Sequence, residues 1–346
     1  MSAVDENKNS RADTGGGIVI LVTGGTGFIG SHLVESLTGK GYNVRCLVRK
    51  TSDVSFLKAL DVELIYGDIM DVDSLKSAVR DVEIVYHLVG GGNVSSVSRK
   101  DYIILRNLNV LGTKNILKAC IHHADIQKFI LFSSISAIGI IKNVIVNEET
   151  RCQPRTPHEL AKYESEQVAL MFCKKYGIPL LIIRPAQVYG PRDVKSEILK
   201  MCKLIKRHMF PVIGSGENVV PLVYVENLVH AAILACERDA SSVYIVTDEW
   251  RTMNEIVEAF AKELNVRVWG AHVPPFAAKI CVGMIEHTCR MLGITPPFNL
   301  KRLESITSNR LYDISKAKRE LGYAPEVSFE EGIRRTVRWY KQHGYL

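Results

Sequence analysis

The sequence predicts an α/β protein, built from a doubly wound parallel β-sheet and a smaller, mostly helical C-terminal lobe. From Ile18 to about Pro185, short apolar segments rich in β-branched residues alternate with amphipathic segments. Buried strands of a parallel sheet have such continuously apolar sequences, and the helices between them join the strands in right-handed βαβ units. After Pro185 this alternation weakens, and amphipathic segments punctuated by proline predict the smaller lobe.

The predicted strands and helices follow one another in a regular order. Six segments are predicted as buried strands: IVILVT, NVRCLV, VELIYG, VEIVYHLV, KFILFSS and PLLIIRP. Segments such as SHLVESLTGKG, closed by Gly39 and Gly41, are predicted as the intervening helices. A later segment, SVYIVTD at 242–248, is predicted as a further strand that returns to the first sheet.

These elements divide the chain into a tail, a sheet domain and a lobe. Residues 1–16 lack an apolar segment and are expected to form a flexible tail. Three or four amphipathic helices are expected after residue 250. The expected bounds are 17–185 for the sheet domain, with 215–248 returning to it, and 186–214 and 249–346 for the C-terminal lobe.

Composition excludes several classes of function. The 346 residues are 47% hydrophobic and 23% charged, which is globular composition and excludes a disordered protein. The net charge of +7 comes from scattered basic residues, so no nucleic-acid partner is expected. Eight cysteines without a CxxC pair indicate a reducing compartment and no metal site. Without a secretory signal or a run of 18 apolar residues, a cytoplasmic location and no transmembrane segment are expected.

A glycine-rich turn follows the first predicted strand. In ILVTGGTGFIGSHL, Gly24, Gly27 and Gly30 lie between the strand and the start of a helix. A tight turn needs residues without a β-carbon, and a dinucleotide pyrophosphate has to approach the backbone closely. The helix N-terminus then offers free N–H groups and a partial positive charge to the phosphates. In a βαβ context, this turn predicts a Rossmann-type dinucleotide-binding site.

Eight segments in chain order resemble the extended branch of the short-chain dehydrogenase/reductase superfamily, the NAD-dependent epimerase/dehydratase proteins. They are TGGTGFIG, YGDIMD, YHLVGG, NVLGTKN, FSS, IIRPAQVYGPR, VYVENLVHA and LYDISKAKRELGYAP. The resemblance covers about residues 18–345 and is nearest in look to 3β-hydroxysteroid dehydrogenase-like and dihydroflavonol reductase-like members. Membership implies an enzyme with a nicotinamide cofactor, and related proteins often form homodimers through helices of the nucleotide domain.

The resemblance also implies which residues contact the cofactor. Asp68 and Ile69 are expected at the adenine, while Val89 and Gly90 replace the alanines of the family's His-Leu-Ala-Ala segment. The remaining cofactor contacts expected by resemblance, besides the three glycines, are Phe28, Ile29, Leu88, Lys162 and Pro185.

The end of the second strand favours NADP(H) over NAD(H). In NAD users an acidic side chain at this place accepts hydrogen bonds from the adenine ribose. Here the place falls at Val48, followed by Arg49 and Lys50. Arg49 is able to form a bidentate pair with a 2′-phosphate, although two solvated charges at a strand end are the alternative interpretation.

The substrate side points to an apolar small molecule. Related nucleotide-sugar epimerases carry an arginine before VYVxD, where Val220 stands in this chain. Arg192 and Arg302 are the cations left to bind a sugar-nucleotide diphosphate. The segment VPPFAAKICVGMIEHTCRMLGITPPFNL resembles the lobe that covers an apolar alcohol or ketone in the steroid and flavonoid branch.

The catalytic helix carries an unusual residue. The family places a tyrosine four residues before a lysine, on one helix face, so that the lysine charge favours the phenolate. In HELAKYESE, Ala161, Lys162 and Glu166 match the pattern, which leaves His158 in the tyrosine place. The competing register takes Tyr163 as the acid/base, but its partner four residues later is the uncharged Gln167.

A serine hydroxyl completes the expected set by polarising the substrate oxygen. Counting back from Gly139 in FSSISAIG places Ser134 there, with Ser133 and Ser136 as its neighbours. Three functions remain open at this point. They are an oxidoreductase acting on a secondary alcohol or ketone, a nucleotide-sugar epimerase or dehydratase with bound NAD, and a dinucleotide-binding scaffold or sensor with weak or no catalysis.

Overall fold

The computed structural model describes residues 17–90, 99–141, 144–238, 241–267, 272–294, 296 and 298–346. The strands in this part of the chain are β1 (Val19–Thr23), β2 (Asn43–Val48), β3 (Val62–Tyr66), β4 (Ile84–His87), β5 (Lys128–Phe132), β6 (Ile145–Val146), β7 (Leu180–Pro185), β8 (Gln187–Tyr189), β9 (Val212–Ile213), β10 (Leu222–Tyr224), β11 (Val243–Val246), β12 (His272–Val273) and β13 (Leu311–Tyr312).

The α-helices lie between and after these strands. They are α1 (Phe28–Gly39), α2 (Ser55–Lys58), α3 (Val72–Val79), α4 (Arg99–Arg106), α5 (Gly112–His123), α6 (Pro157–Tyr176), α7 (Glu197–Lys206), α8 (Val225–Glu237), α9 (Met253–Leu264), α10 (Pro275–Met291), α11 (Leu300–Thr307), α12 (Ser315–Leu321) and α13 (Phe329–Gln342). A π-helical turn, Asn107–Leu111, joins α4 to α5, and a 3₁₀ turn, Ile135–Ala137, follows β5.

The main sheet has seven parallel strands in the order β11-β7-β5-β4-β1-β2-β3. This confirms the predicted doubly wound α/β fold. All six segments predicted as strands before residue 186 contribute to the sheet, and the seventh strand comes from Val243–Val246. The strand order reverses between β1 and β4, which is where open α/β sheets bind their ligands.

Alternation along the strands builds a core on each face of the sheet. Ile20 and Val22 of β1 pack in one cluster with residues of α1, α8 and α12. Leu21 of the same strand packs on the opposite face in a second cluster with residues of α3, α5 and α6. Because both faces are covered, the strands are apolar throughout, which is why their sequences show no alternation with polar residues.

The C-terminal lobe has a separate core. Residues of α7, α9 and α13 pack around Tyr189, Tyr224 and Phe260. Five helices follow residue 250 in the described chain, so the expected number of three or four helices was wrong. The extra element comes from a short helix such as α12, whose seven residues end at the left-handed Gly322 and give little periodicity to recognise.

The helix α10 departs from the usual amphipathic arrangement. Its apolar Phe276, Ile280 and Met284 are 57–68% exposed, and only Ala278 and Val282 pack against Leu303 of α11 in a small cluster. In the described residues, no helix combines the length and the apolar character needed to cross a membrane.

Candidate active site

The glycine turn lies at the carboxyl end of β1, beside the strand-order reversal. Gly24 has φ +80°, and its carbonyl accepts the Gly27 N–H at 2.9 Å. A β-carbon on Gly30 would lie 2.1 Å from the Gly24 carbonyl oxygen, so only glycine allows α1 to start this close to the turn. Helix α1 has neither a side-chain cap nor an acidic residue in its first turn, which leaves its N-terminus open to an anion. The turn therefore fits a dinucleotide pyrophosphate.

Two basic residues follow β2 beside this turn. Leu47 of β2 pairs with Thr23 of β1, and the strand ends one residue later at Val48. Arg49 and Lys50, the next two residues, are both exposed. The first carboxylate after the strand, Asp53, accepts hydrogen bonds from the backbone and hydroxyl of Ser55.

The residues expected at the adenine lie after β3. Asp68 is exposed and its carboxylate accepts the Met70 N–H at 2.8 Å. Ile69 is buried, and its carbonyl accepts a hydrogen bond of 3.0 Å from the Asn115 side chain of α5. Ile69 also packs against Gly112, where a β-carbon would lie 3.2 Å from its Cγ1. These two contacts hold Ile69 against α5.

A chain of buried hydrogen bonds links the end of β1, where the glycine turn begins, to the neighbouring strand β4 and to α5. His87 Nδ1 lies 2.7 Å from the Thr23 hydroxyl, and His87 Nε2 lies 3.1 Å from the Thr113 hydroxyl. Thr113 donates its own proton to the Asn109 carbonyl at 2.5 Å, so it accepts from Nε2–H and Thr23 donates to Nδ1. Burial, with a contribution from the Lys162 charge, lowers the pKa of His87 to about 3, which keeps this ring neutral.

Lys162 is buried at the centre of the candidate site. Its Nζ donates to the Phe132 carbonyl at 3.2 Å, at the carboxyl end of β5. A β-carbon on Gly90 would lie 2.6 Å from this Nζ and 2.8 Å from Asn109 Oδ1, so these three residues of separate elements meet. Burial lowers the Lys162 pKa to about 8, against the opposing effect of the Glu166 charge.

The start of α6 places His158. Thr156 and Glu159 form a reciprocal capping box, and Pro157 takes the first helical position. His158 follows in the first turn, four residues before Lys162, so both lie on one helix face. Burial, with a smaller contribution from the Lys162 charge, lowers the pKa of His158 to about 4. Tyr163 has the exposed Gln167 four residues further on.

Ser134 lies two residues beyond the β5 carbonyl that holds Lys162. Its hydroxyl caps the 3₁₀ turn by accepting the Ser136 N–H at 3.1 Å, and it lies 3.1 Å from the Ser136 hydroxyl. The Ser133 hydroxyl is buried and has no hydrogen-bond partner among the described residues. The partly exposed Ser134 and Ser136 are thus the two serines that remain accessible at this strand end.

Behind the helix, Glu166 forms a buried ion pair with Arg184 of β7. The two contacts, Nε–Oε1 at 3.0 Å and Nη2–Oε2 at 2.7 Å, are bidentate. The pair anchors α6 to the sheet. The Arg184 charge also offsets part of the effect of the Glu166 carboxylate on the pKa of Lys162. Sequence reasoning recognised Glu166 only as part of a pattern. It assigned no site role to Asn109, although this residue stands in the family-like NVLGTKN segment.

Residues 20–246 match the model of the family described as NAD dependent epimerase/dehydratase. The chain belongs to this family. The expected membership in the extended short-chain dehydrogenase/reductases is therefore confirmed, and the chain is an enzyme of a nicotinamide-dependent class.

Relatives of this epimerase/dehydratase member match nearly end to end. A putative dihydroflavonol 4-reductase of Synechocystis is 29% identical, with 94% of this chain and 95% of the relative covered. A decarboxylating sterol-4-alpha-carboxylate 3-dehydrogenase of Mus musculus is 29% identical over 91% and 89% of the two chains. The structure of a UDP-glucose 4-epimerase of Thermotoga maritima, with UDP-glucose, is 26% identical, with a TM-score of 0.76 over 94% and 99%.

On the substrate side of this family member, the expected phosphate-binding cations are already engaged. Val220, in the family's arginine place, is buried. Arg192 pairs with Glu35 at 2.6 Å and stacks on the Phe56 ring, 4.0 Å from its centroid. Arg302 pairs with Glu197 of α7.

The lobe contributes an open groove of about 750 Å³ between α10, α11 and the segment that precedes β13. Its apolar lining comes from Ile280, Leu300 and Leu303, and its other lining residues are Lys279, Glu304, Thr307, Ser308 and Asn309. The described residues contain no cluster of side chains that could hold a metal ion.

Proposed function

We propose that this chain is an NADP(H)-preferring oxidoreductase that transfers hydride at a secondary alcohol or ketone of a small, apolar substrate. The observation that carries the proposal is the meeting of Lys162, Gly90 and Asn109 beside the glycine turn. His158 and Ser134 lie on the two elements that position this lysine, α6 and the end of β5.

The dinucleotide would be held by residues at the carboxyl edge of the sheet. The turn from Gly24 to Gly30, with the open N-terminus of α1, fits the pyrophosphate. Arg49 would pair with the 2′-phosphate, and its exposure without a carboxylate at 48–50 supports NADP(H) over NAD(H). Asp68 and Ile69 would contact the adenine. Leu88, Val89, Gly90 and Pro185 would line the nicotinamide side.

The chemistry divides between the cofactor and three side chains. When bound, NADP(H) supplies or accepts the hydride. Ser134 would donate a hydrogen bond to the substrate oxygen. Lys162 would hold the nicotinamide ribose, and its pKa of about 8 leaves it mostly charged at neutral pH. His158, neutral at this pH, would donate a hydrogen bond to a carbonyl oxygen or accept the proton of an alcohol.

An apolar substrate is supported by the engaged arginines and by the names of the relatives. Ile280, Leu300 and Leu303 line the groove, whereas Arg192 and Arg302, which a nucleotide diphosphate would require, are paired with carboxylates. One relative is named as a putative reductase of a dihydroflavonol and another as a dehydrogenase of a sterol carboxylate, and both named compounds have large apolar ring systems. The site thus favours this class over the UDP-glucose of the Thermotoga epimerase.

We also propose a homodimer through the sheet domain. Ile103 and Ile104 of α4 are each 49% exposed, and Leu170 and Met171 of the adjacent α6 are 43% and 61% exposed. These four apolar side chains would be covered by the same helices of a second copy. The molar mass of the purified protein in solution, measured by light scattering, tests this proposal. A mass that corresponds to a monomer would exclude the homodimer.

The test combines cofactor titration with turnover on a panel of ketones and secondary alcohols. We expect tighter binding of NADPH than NADH, and a loss of about 100-fold in kcat for His158→Ala. Tyr163→Phe, one helical residue beyond Lys162, is the matched control and should keep its activity. The opposite pattern would show that Tyr163 is the acid/base.

Two further outcomes separate the alternatives. NADPH binding without turnover across the whole panel would favour a dinucleotide-binding scaffold or sensor. Tightly retained NAD together with stabilisation by UDP-glucose would favour a nucleotide-sugar epimerase.

A further inference from the structure

Helix α10 presents a row of apolar side chains to solvent. Because an α-helix turns about 100° per residue, Phe276, Ile280, Met284 and Met291 lie within about 80° of one another around the helix axis. These four side chains are 57–76% exposed, and the exposed His287 is the polar residue in the same sector. The row continues beyond the helix, so the members of this α10 face are Phe276, Ile280, Met284, Met291, Leu292 and Ile294. An apolar surface of this extent marks an interaction site.

The opposite side of α10 holds the helix on the lobe. Ala278, Val282 and Cys289 are buried, and they lie about 180° around the axis from the middle of the α10 face. Ala278 and Val282 pack with Leu303 of α11 in a small core. The helix is therefore attached along one side only. Packing within the described chain does not explain why the outward side is apolar.

Positive charge borders the α10 face. Lys279 and Arg290 are both exposed and lie within about 20° of each other, at one edge of the apolar row. Glu286 of the same edge lies 3.5 Å from Arg290 and accepts the Leu300 N–H at 3.2 Å, which holds the start of α11 and the exposed Lys301 nearby. Between residues 272 and 303 the sequence has four lysines and arginines and a single carboxylate. The surroundings of the apolar row thus favour an anionic partner.

We propose that the α10 face binds the surface of a membrane that contains anionic phospholipids. The apolar side chains would enter the boundary between head groups and acyl chains, and Lys279, Arg290 and Lys301 would lie at the level of the lipid phosphates. A helix with an apolar side and a basic edge lies in the plane of a membrane in this way. Because no helix in the described part of the chain is able to span a membrane, the association is peripheral.

Charge favours lipid over a second copy of this chain as the partner. A second copy would bring the same excess of positive charge to the α10 face, whereas anionic head groups complement that charge. The side chains proposed for the homodimer lie on α4 and α6, so that contact does not require α10.

The groove lies beside the α10 face. Ile280 belongs to both, and the exposed Lys279 and Leu300 also line the groove. An apolar substrate dissolved in the bilayer would therefore reach the groove without passing through water. This route rests on the proposed function, whereas binding of the α10 face to the membrane does not.

Flotation of the purified protein with lipid vesicles tests the proposal. One set of vesicles is phosphatidylcholine alone, and the other contains equal parts of phosphatidylcholine and phosphatidylglycerol. We expect at least about tenfold tighter binding to the mixed vesicles at low salt, since each cation near the surface gains from its negative potential. Added salt should weaken this preference, because ions screen the charges.

Three variants assign the binding to α10. Phe276→Ser combined with Met284→Ser should bind mixed vesicles at least about tenfold more weakly, since two apolar side chains no longer enter the interface. Both side chains are exposed, so the thermal unfolding midpoint and NADPH binding should stay as in the wild type. Met209→Ser, at a methionine that is 65% exposed outside α10, is the matched control and should bind vesicles normally. Lys279→Glu combined with Arg290→Glu should remove the preference for mixed vesicles.

Equal binding of the wild type to both kinds of vesicle, or binding to neither, overturns the proposal. Binding to mixed vesicles that persists unchanged in the Phe276→Ser and Met284→Ser variant also overturns it. A molar mass in solution that falls in this variant would assign the α10 face to a second copy instead. None of these measurements depends on turnover, so membrane binding without ketone reduction disproves only the proposed reaction, and reduction of a water-soluble ketone without membrane binding disproves only the docking surface.

Discussion

Gly90 and Lys162 lie so close together that a β-carbon on Gly90 would be 2.6 Å from the lysine Nζ. Gly90 stands where the family resemblance places an alanine, and it lies far from α6 in the sequence. Its missing side chain leaves space beside both the buried ammonium and Asn109 Oδ1, which would lie 2.8 Å from the same β-carbon. The position of Lys162 thus depends partly on Gly90, the residue in the loop after β4, having no β-carbon.

Gly90→Ala should therefore impair catalysis more than folding. Lys162 Nζ is the end of a flexible side chain and can move from the added methyl group at little cost in stability. A displacement of about 1 Å at the reacting centre costs on the order of 100-fold in rate, so we expect kcat to fall by about 10- to 100-fold. Steady-state kinetics and thermal unfolding of the same preparation check both statements. Wild-type kcat in this variant would show that Lys162 does not depend on the space at Gly90.

Gly30→Ala should weaken dinucleotide binding and stability together. The added β-carbon would lie 2.1 Å from the backbone oxygen of Gly24, which cannot rotate away as a side chain can. We expect a loss of about 1–3 kcal/mol in the free energy of unfolding, as for other overpacked sites, and at least about tenfold weaker NADPH binding. Fluorescence titration and urea unfolding measure the two quantities.

Gly39→Ala is the matched control, because Gly39 ends the same helix and a β-carbon there meets no atom within 4 Å. It should bind NADPH as the wild type does. If Gly30→Ala also binds NADPH normally, the turn does not hold the pyrophosphate in the way proposed.

Glu166→Gln should destabilise the protein strongly. The substitution leaves Arg184, whose side chain is 7% exposed, without its anionic partner. Breaking one side of a buried ion pair costs about 3–5 kcal/mol, while an exposed pair contributes about 0–1 kcal/mol. Glu164→Gln on the same helix, which affects the more exposed pair with Arg106, is the control. Equal midpoints of urea unfolding for the two variants would contradict the role of the buried pair.

The sequence was sufficient where a short-range physical rule applies. Gly24, Gly27 and Gly30 are demanded by one turn, and the relation of His158 to Lys162 follows from the helical repeat within α6. These features involve neighbours in the chain, so their spacing alone predicts the geometry.

Long-range contacts could not be predicted in this way. The hydrogen bond between His87 and Thr113 joins residues 26 positions apart in the sequence. It forms only because α5, which carries Thr113, packs on one particular face of the sheet. The burial of the Arg310 Nε, which has no hydrogen-bond partner among the described residues, is likewise encoded by no local pattern. The number of lobe helices was misjudged for a related reason, since short helices are stabilised by the surface on which they pack.

Acid should destabilise the protein through its buried histidines. Burial lowers the pKa of His32 to about 4, of His87 to about 3 and of His158 to about 4. As pH falls below about 6.5, the unfolded chain takes up protons at these rings while the folded chain does not. The free energy of unfolding therefore decreases from about pH 6.5 down to about pH 4, and it is unaffected by these groups at higher pH.

His158→Gln isolates one of the three contributions. A shift from 6.5 to about 4 corresponds to roughly 2 kcal/mol of lost stability between pH 7.5 and pH 5. The variant should lose about that much less than the wild type over this interval, in urea unfolding at the two pH values. Tyr163→Phe, which leaves every imidazole in place on the same helix, should show the full wild-type loss. If the free energy of unfolding of His158→Gln decreased as much as that of the wild type, His158 would be protonated as readily in the folded protein as in the unfolded chain. A solvated imidazole of that kind would take part in proton exchange near neutral pH.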